Sequence, residues 1–484
     1  MKNLASTLRE RFLLIPPLLR WGTLGNVILF VSVAGFNALV LPWIGAADSK
    51  YHMNYMTAVY NGELPVSRSI VAAHPPFYYW LMSRFVGGLL VTDHFTMAVA
   101  ITRAANIGFG VLLILVLAWI GWMLGGARRI QLAIALPGLS VLITPFVRVA
   151  GDTYNDTLAT LFATTALALA IALLKRGPSW QLVVALGVIS VLGMSTRSTF
   201  AAPLGLALLA LLASFLLHGT GSRARRFWQG VVSTAAIGAA VVAAIGWFYL
   251  RNQQLSGSWF RSRPKAPFAG RDYHSLGDNL TDPNYYLVTV ARLLGFRDWA
   301  GWLPINGTIS LIVSAVAIVG LVVWLVSGGR WKRIVEPVAN RLILVLLLAL
   351  FIGVYVMQLQ HAIGWGNVNL RYFLPGLLVL GLVLALGTLA WSRLRGQLTV
   401  AVMTVLALGA VADVMWFVTP MYKRVVTENP LGFLPTAVAN NHLPFAVLPI
   451  AALGMLIGLL ITGFALFKAT EPAALTLSPR RNLA

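Results

Sequence analysis

Asp48 and His52 stand four residues apart just beyond the first long apolar run, the interval that makes neighbours on one face of a helix. Asp152 and Asp156 repeat the interval at the start of a later run. A carboxylate within hydrogen-bond reach of a hydroxyl can take its proton. Arg197 and Arg371 each border an apolar run and carry a planar fork that fits two phosphate oxygens. Arg251 closes a further run. His74 precedes Pro75 and Pro76 and can bond a substrate or a phosphate, and Tyr78 follows a turn later. His52 and His361 could join acids as metal ligands, so a divalent cation is a candidate cofactor, although no HExxH-like spacing accompanies them. Plainer readings stay open at each position. Asp48 and Asp156 both suit helix N-caps, the arginines could snorkel to lipid headgroups, and His74 could be structural.

The elements that must hold these residues are apolar helices. Hydrophobic residues make up 58% of the 484 and charged residues 10%, with a mean hydropathy of +0.81. A soluble globule carries about 25% charged residues, so this chain could not cover its surface in water. Apolar runs of about 20 residues recur, the length that crosses a hydrocarbon core. The fold class is therefore an all-α polytopic membrane protein. The net charge of +22 lies in the short segments between runs; it suits an anionic membrane surface and anionic ligands rather than nucleic acid. The absence of cysteine rules out disulfides, Cys-ligated zinc and Cys nucleophiles.

Apolar runs fall near 22–44, 97–124, 130–147, 156–174, 180–196, 200–217, 229–250, 306–328, 342–359, 372–392, 398–419 and 445–467. The first is too long for a cleaved leader and reads as a retained span. Arg128/Arg129, Lys175/Arg176, Arg223/Arg225/Arg226, Arg330/Lys332/Arg333 and Arg393/Arg395 share one side with the N-terminus and the tail (Lys468, Arg480, Arg481). By the positive-inside rule that side is cytoplasmic, and twelve crossings return both termini to it. The expected location is the cytoplasmic membrane, with loops 45–95, 251–305 and 420–444 outside. Residues 1–484 form one transmembrane domain, with 22–217 as its core and 229–467 as further spans.

The first outside loop holds two predicted helices. One starts at Asp48 or Ser49, presents Tyr51, Tyr55, Ala58 and Val59 as an apolar face and stops at Gly62. The second follows His74-Pro75-Pro76, and Phe77, Tyr78, Trp80, Leu81 and Phe85 suit it to the membrane interface.

An acid after the first span, Tyr51-His52, Gly62-x-x-Pro65 and then His74-Pro-Pro-Phe-Tyr-Tyr-Trp-Leu81 together resemble the first external loop of the GT-C superfamily. The likeness is to the branch of protein O-mannosyltransferases and lipid A aminoarabinose transferases. Arg103-Ala-Ala-Asn106, Asn155-Asp156, Ser195-Thr-Arg197, Gly246-Trp-Phe-Tyr-Leu-Arg251-Asn252 and Asn369-Leu-Arg371-Tyr372 extend it. Ser49 stands where many relatives carry a second acid, and Glu63 is a candidate substitute.

This resemblance implies a GT-C-like core over 22–217 and an inverting transfer of a sugar from a polyprenyl-phosphate donor to a glycan, lipid or protein acceptor. It implies Asp48 as general base and Asp156 as a second catalytic acid. Arg197, Arg371 and His74 would then meet the donor phosphate, and His52, Asp152, Tyr78 and Arg251 the substrates. The aromatic and charged loop at 251–305 is a candidate acceptor lid. Two other functions compete: a transporter or lipid-linked-sugar flippase, favoured by Asp413 inside the eleventh run, and a non-catalytic binder of lipid-linked sugar in an envelope-building complex.

Overall fold

A computed structural model describes residues 15–42, 48–65, 71–92, 94–260, 275–294, 306–327, 336–365, 369–391, 394–418 and 432–470. Among the described residues the regular structure is helical, without strands. Helix α1 (Pro17–Val40) leads into two short helices, α2 (Ser49–Tyr60) and α3 (Phe77–Leu90). There follow α4 (Phe95–Leu124), α5 (Arg129–Ser140), α6 (Thr144–Ala150), α7 (Asp156–Arg176), α8 (Trp180–Thr196), α9 (Ala201–His218) and α10 (Arg223–Ser256). The later part comprises α11 (Leu276–Thr281), α12 (Pro283–Leu294), α13 (Asn306–Val326), α14 (Val338–Trp365), α15 (Leu377–Ala390), α16 (Arg395–Val418), α17 (Leu434–Asn440) and α18 (Val447–Ala469).

Among the described residues, ten helices are long and apolar enough to cross a bilayer, judged by length and composition. The expected run at 130–147 is a bent pair, α5 and α6, which turn by 69° at their junction. Pro145 sits in the first turn of α6 and has no N–H to continue a helix from α5. The run at 180–196 is the 17-residue α8. Each of the twelve expected runs thus corresponds to a helix or a bent helix pair.

Helix α7 is the centre of the bundle. It is buried almost without interruption from Asp156 to Leu174 and packs on α4, α8 and α9. Helices α1 and α18 run antiparallel in close contact; a Cβ on Gly458 would lie 2.5 Å from the Leu29 nitrogen, so the backbones approach only because that carbon is missing. Buried Asn26 donates to the Ile134 carbonyl at 2.8 Å, which ties α1 to α5 by a polar bond within the apolar layer.

The two ends of the bundle differ in character. At one end Lys175 donates to the Met123 carbonyl, Arg128 to that of Leu389 and Gln131 to that of Ala469, so the basic segments gather. At the other end lie the starts of α4 and α7 and the end of α1. The last carbonyls of α1 need partners that the helix cannot supply. Arg103 takes those of Ala38, Leu41 and Pro42 at 2.7–3.1 Å, and Asn441 takes those of Leu39 and Leu41. The chain therefore enters the first loop from a fixed point.

Helix α2 begins at Ser49 and ends at Tyr60, and Gly62 follows with a φ of +81°, matching the expected start and stop. Its buried face is a correction. Ser49, His52, Met53 and Met56 turn inward with Tyr55, while Tyr51 is exposed. The neighbour is α3, whose inner face is Tyr78, Tyr79, Met82 and Val86. Trp80, Arg84 and Phe85 stay on its outer face, the guanidinium 5.2 Å from the centre of the Trp80 ring.

Candidate active site

Three carboxylates meet three different arginines at the loop end. Asp48 Oδ2 lies 2.6 Å from Arg371 NH2, Asp156 Oδ2 lies 2.7 Å from Arg197 NH1, and Asp152 Oδ1 lies 3.8 Å from Arg103 NH2. The pairs differ in exposure. The Asp156–Arg197 side chains are 1% and 8% exposed, whereas Asp48 and Arg371 are 21% and 25% exposed. The two inner pairs are enclosed, and the third stands at the mouth.

Neither acid acts as the side-chain cap that its place at a helix start would suggest. Asp48 occupies the N-cap of α2 and Asp156 the first turn of α7, yet neither the Asp48 nor the Asn155 side chain makes the cap bond. Asp48 turns to Arg371, and Asp156 accepts from Arg197. Ser49 donates to Asp152 Oδ2 at 2.8 Å. The carboxylate missing at position 49 is thus replaced in space by one that arrives from the loop before α7.

Asn106 on α4 shapes that loop by donating to the carbonyls of Asp152 (2.6 Å) and Tyr154 (2.9 Å). Tyr154 then connects the mouth. Its hydroxyl accepts from the Asp48 N–H at 3.3 Å, and the Arg371 guanidinium lies 5.0 Å from its ring centre. Asn369 fixes Arg371 by accepting from its N–H and Nε.

The geometry also fixes a protonation state. Arg197 can only donate, so the Asn155 atom it meets at 2.8 Å is the amide oxygen. The Asn155 amide nitrogen therefore donates to the Thr196 carbonyl (3.0 Å) and to His74 Nδ1 (3.2 Å). His74 Nδ1 is the acceptor, and its proton sits on Nε2, ready to be donated. Removal from water holds His74 well below its usual pKa, with Arg197, His52 and Arg371 acting the same way. His52 is held down too, by burial first and then by Arg371 and Arg197. Its Nδ1 is 2.8 Å from the Tyr79 hydroxyl, and its ring stands edge-on to Tyr154. Tyr79 stacks on Tyr55, which donates to the His74 carbonyl at 3.0 Å. Burial pushes the Tyr55, Tyr78, Tyr79 and Tyr154 hydroxyls up, so they stay protonated donors.

The structure brings Asp48, His52, His74, Asp152, Asp156, Arg197 and Arg371 into one connected cluster. Tyr78 lies beneath it, donating to Asn106 Oδ1 at 3.3 Å. Arg251 stands apart, donating to the Pro65 carbonyl at 2.8 Å and so tying α10 to the first loop. Glu63 is exposed beyond the end of α2. His361 packs against Tyr372, its ring centre 4.7 Å away. In the 251–305 loop, Arg261, Arg263, Lys265, Phe268, Arg271, Asp272, Tyr273 and Asp298 lie outside the described residues. Sequence reasoning missed Tyr79 and Tyr154, whose signal was only that of aromatics beside a polar motif. It also missed Arg148, hidden at the end of an apolar run.

Asp413 is not an isolated acid in mid-span. It lies five residues before the end of α16, 3.6 Å from Arg148, and both are placed toward the loop end. The residues present do not suit a divalent cation. Each site carboxylate already faces a guanidinium, and among the described residues no three His, Asp or Glu side chains converge as ligands.

No family model matches the sequence, and no curated protein matches it. Among solved structures, the chain is similar to ArnT from Cupriavidus metallidurans bound to undecaprenyl phosphate. That match has 17% identity and a TM-score of 0.48, and it covers 93% of this chain and 76% of that one. The Archaeoglobus fulgidus oligosaccharyltransferase tethered with an acceptor peptide matches at 13% identity and a TM-score of 0.40, over 92% of this chain and 55% of that one.

Proposed function

We propose that this protein transfers a sugar from a polyprenyl-phosphate donor to an acceptor hydroxyl at the loop end of the bundle, with Asp48 as general base. The observation that carries this reading is the partly exposed pair of Asp48 and Arg371. A proton acceptor and a candidate phosphate-binding guanidinium share the mouth of the site, in a contact that opens when substrates enter so that each serves its own face of the sugar, at the end of membrane-length helices where a lipid-borne phosphate would arrive.

The reaction is a displacement. The acceptor oxygen attacks the anomeric carbon from the face opposite the phosphate, and the configuration inverts. The acceptor proton passes to Asp48 as the sugar–oxygen bond to phosphate breaks, with its electron pair going to the phosphate oxygen. Charge growing on that oxygen needs preorganised donors. Arg371 supplies one at the mouth and His74 Nε2–H another from beneath, while enclosed Arg197 holds Asn155 and Asp156 and adds positive charge behind them. Asp156 and Asp152 work through their arginines and through Asn155 and Ser49, which keeps the cluster in place before substrate arrives. The acceptor is the hydroxyl of a glycan, a lipid or a protein, and the donor sugar a hexose or a pentose. The transport alternative rests on Asp413 as a mid-membrane acid; its place five residues from the end of α16, beside Arg148, favours the transfer reading.

The test is direct. Purified protein in nanodiscs, supplied with a panel of polyprenyl-phosphate sugars, should transfer or hydrolyse at least one of them. A panel without turnover, together with a harmless Asp48→Asn in cells, would sink the reading.

A further inference from the structure

The acid–arginine pairs of Asp48, Asp152, Asp156 and Asp413 fall into two kinds. Arg103 and Arg197 are enclosed, at 5% and 8% exposure. Arg371 and Arg148 are each 25% exposed. An arginine kept partly open, with its counter-ion behind it, retains donors for a ligand.

Arg148 has the features of a prepared donor. Its guanidinium carbon lies 3.9 Å from the centre of the Phe417 ring, which fixes the plane of the fork. Asp413, 6% exposed, faces it at 3.6 Å, too long for a hydrogen bond, so the pair orients the group without consuming its N–H donors. Helix α6, which carries Arg148, packs against α16 and against the 370–376 turn that carries Arg371. Tyr154 follows Arg148 by six residues, and the Arg371 guanidinium lies 5.0 Å from its ring centre. Burial and the charges of Asp152 and Asp48 push its hydroxyl up, while Arg371 and Arg148 pull against them.

We propose that Arg148 is a second phosphate-binding guanidinium, which with Arg371 on the adjoining turn forms a two-armed seat for the phosphate monoester of a lipid, and that Asp413 and Phe417 are its positioning residues. The proposal rests on the donor chemistry proposed above. It gives a purpose to a charged pair near the membrane that a purely apolar contact would replace without loss.

The experiment compares wild type, Arg148→Gln, Arg148→Lys, Asp413→Asn and Arg371→Gln in phosphatidylcholine nanodiscs. Exposed Arg84→Gln on α3 is the control. Each is titrated with a sugar-free polyprenyl phosphate, in separate arms with inorganic phosphate or phosphatidylglycerol as competitor, and thermal midpoints are measured alongside. Arg148→Gln is expected to weaken polyprenyl-phosphate binding at least about tenfold, with a smaller loss for Asp413→Asn and none for Arg84→Gln. Arg148→Lys, which keeps the charge and loses the stacked fork, should also bind more weakly, and it decides the matter if the Gln variant does not fold. Neither competitor should displace the lipid phosphate at equal concentration.

Wild-type binding in Arg148→Gln beside a loss in Arg371→Gln would overturn the two-armed seat and leave the proposed reaction standing. Equal displacement by phosphatidylglycerol would reduce Arg148 to a general headgroup contact, and displacement by inorganic phosphate would remove the lipid from the assignment. A wild type that binds no polyprenyl phosphate would overturn both proposals.

Discussion

Asp48 Oδ2 and Arg371 NH2 are 2.6 Å apart although 323 residues separate them in the chain. Their contact fastens the first loop to the turn before α15, and Tyr154 supports both partners, accepting from the Asp48 N–H and underlying the Arg371 guanidinium. In the proposed reaction, a donor phosphate that took Arg371 would compete with Asp48 for it and so release the carboxylate when a proton acceptor is needed.

Asp48→Asn keeps the size and the hydrogen bond to Arg371 but cannot take a proton. Transfer should fall by about 100- to 10,000-fold, the usual contribution of general base catalysis. Polyprenyl-phosphate binding should be retained or tightened, because the competing negative charge is gone. Single-turnover transfer and equilibrium binding on the same preparation check both halves; a variant that loses binding as well as transfer points to a structural acid.

Arg371→Lys preserves charge but not the planar fork that Asn369 holds. The loss should appear in the KM for the donor and in kcat, because phosphate is bound in the ground state and gains charge in the transition state. The acceptor KM should change little. A kinetic matrix of donor against acceptor concentrations separates these terms.

The order of apolar runs, the loop helices and most of the site were legible in the sequence. Asp48, Asp156, Arg197 and Arg371 stood out because charge at the edge of an apolar run needs a reason. Which acid faces which arginine was not legible, since the Asp48–Arg371 and Asp152–Arg103 contacts depend on how distant helices cross. The inner face of α2 was misread for a similar reason. Its partner is the aromatic helix α3, not lipid, so Ser49 and His52 turn inward and Tyr51 outward. Arg148 was hidden because the 69° bend, which carries it to the loop end, leaves only Pro145 as its mark in the sequence.

The Asp156–Arg197 pair should matter most to stability. Breaking a buried pair leaves one charge without compensation and costs about 3–5 kcal/mol. Asp156→Asn and Arg197→Met should each lower the thermal midpoint in detergent. The double variant should lose less than the two single losses combined, the mark of direct coupling. Purely additive losses would show that the two side chains act independently.

Acid should weaken the fold through two histidines. His52 and His74 are both held well below the ordinary value of 6.5, chiefly by burial, so the folded state keeps them neutral. Unfolding frees them to bind protons near pH 6.5, and stability falls wherever the unfolded state binds more protons. Their contribution is fully present above about pH 6.5 and is lost progressively as pH falls from there toward the folded-state values. Thermal midpoints measured from pH 8 to pH 5 should therefore hold level and then drop. His52→Gln and His74→Gln should each flatten the acid limb, even if they lower the plateau. A limb as steep as that of wild type in both variants would assign the acid sensitivity to the carboxylates of the ion pairs instead.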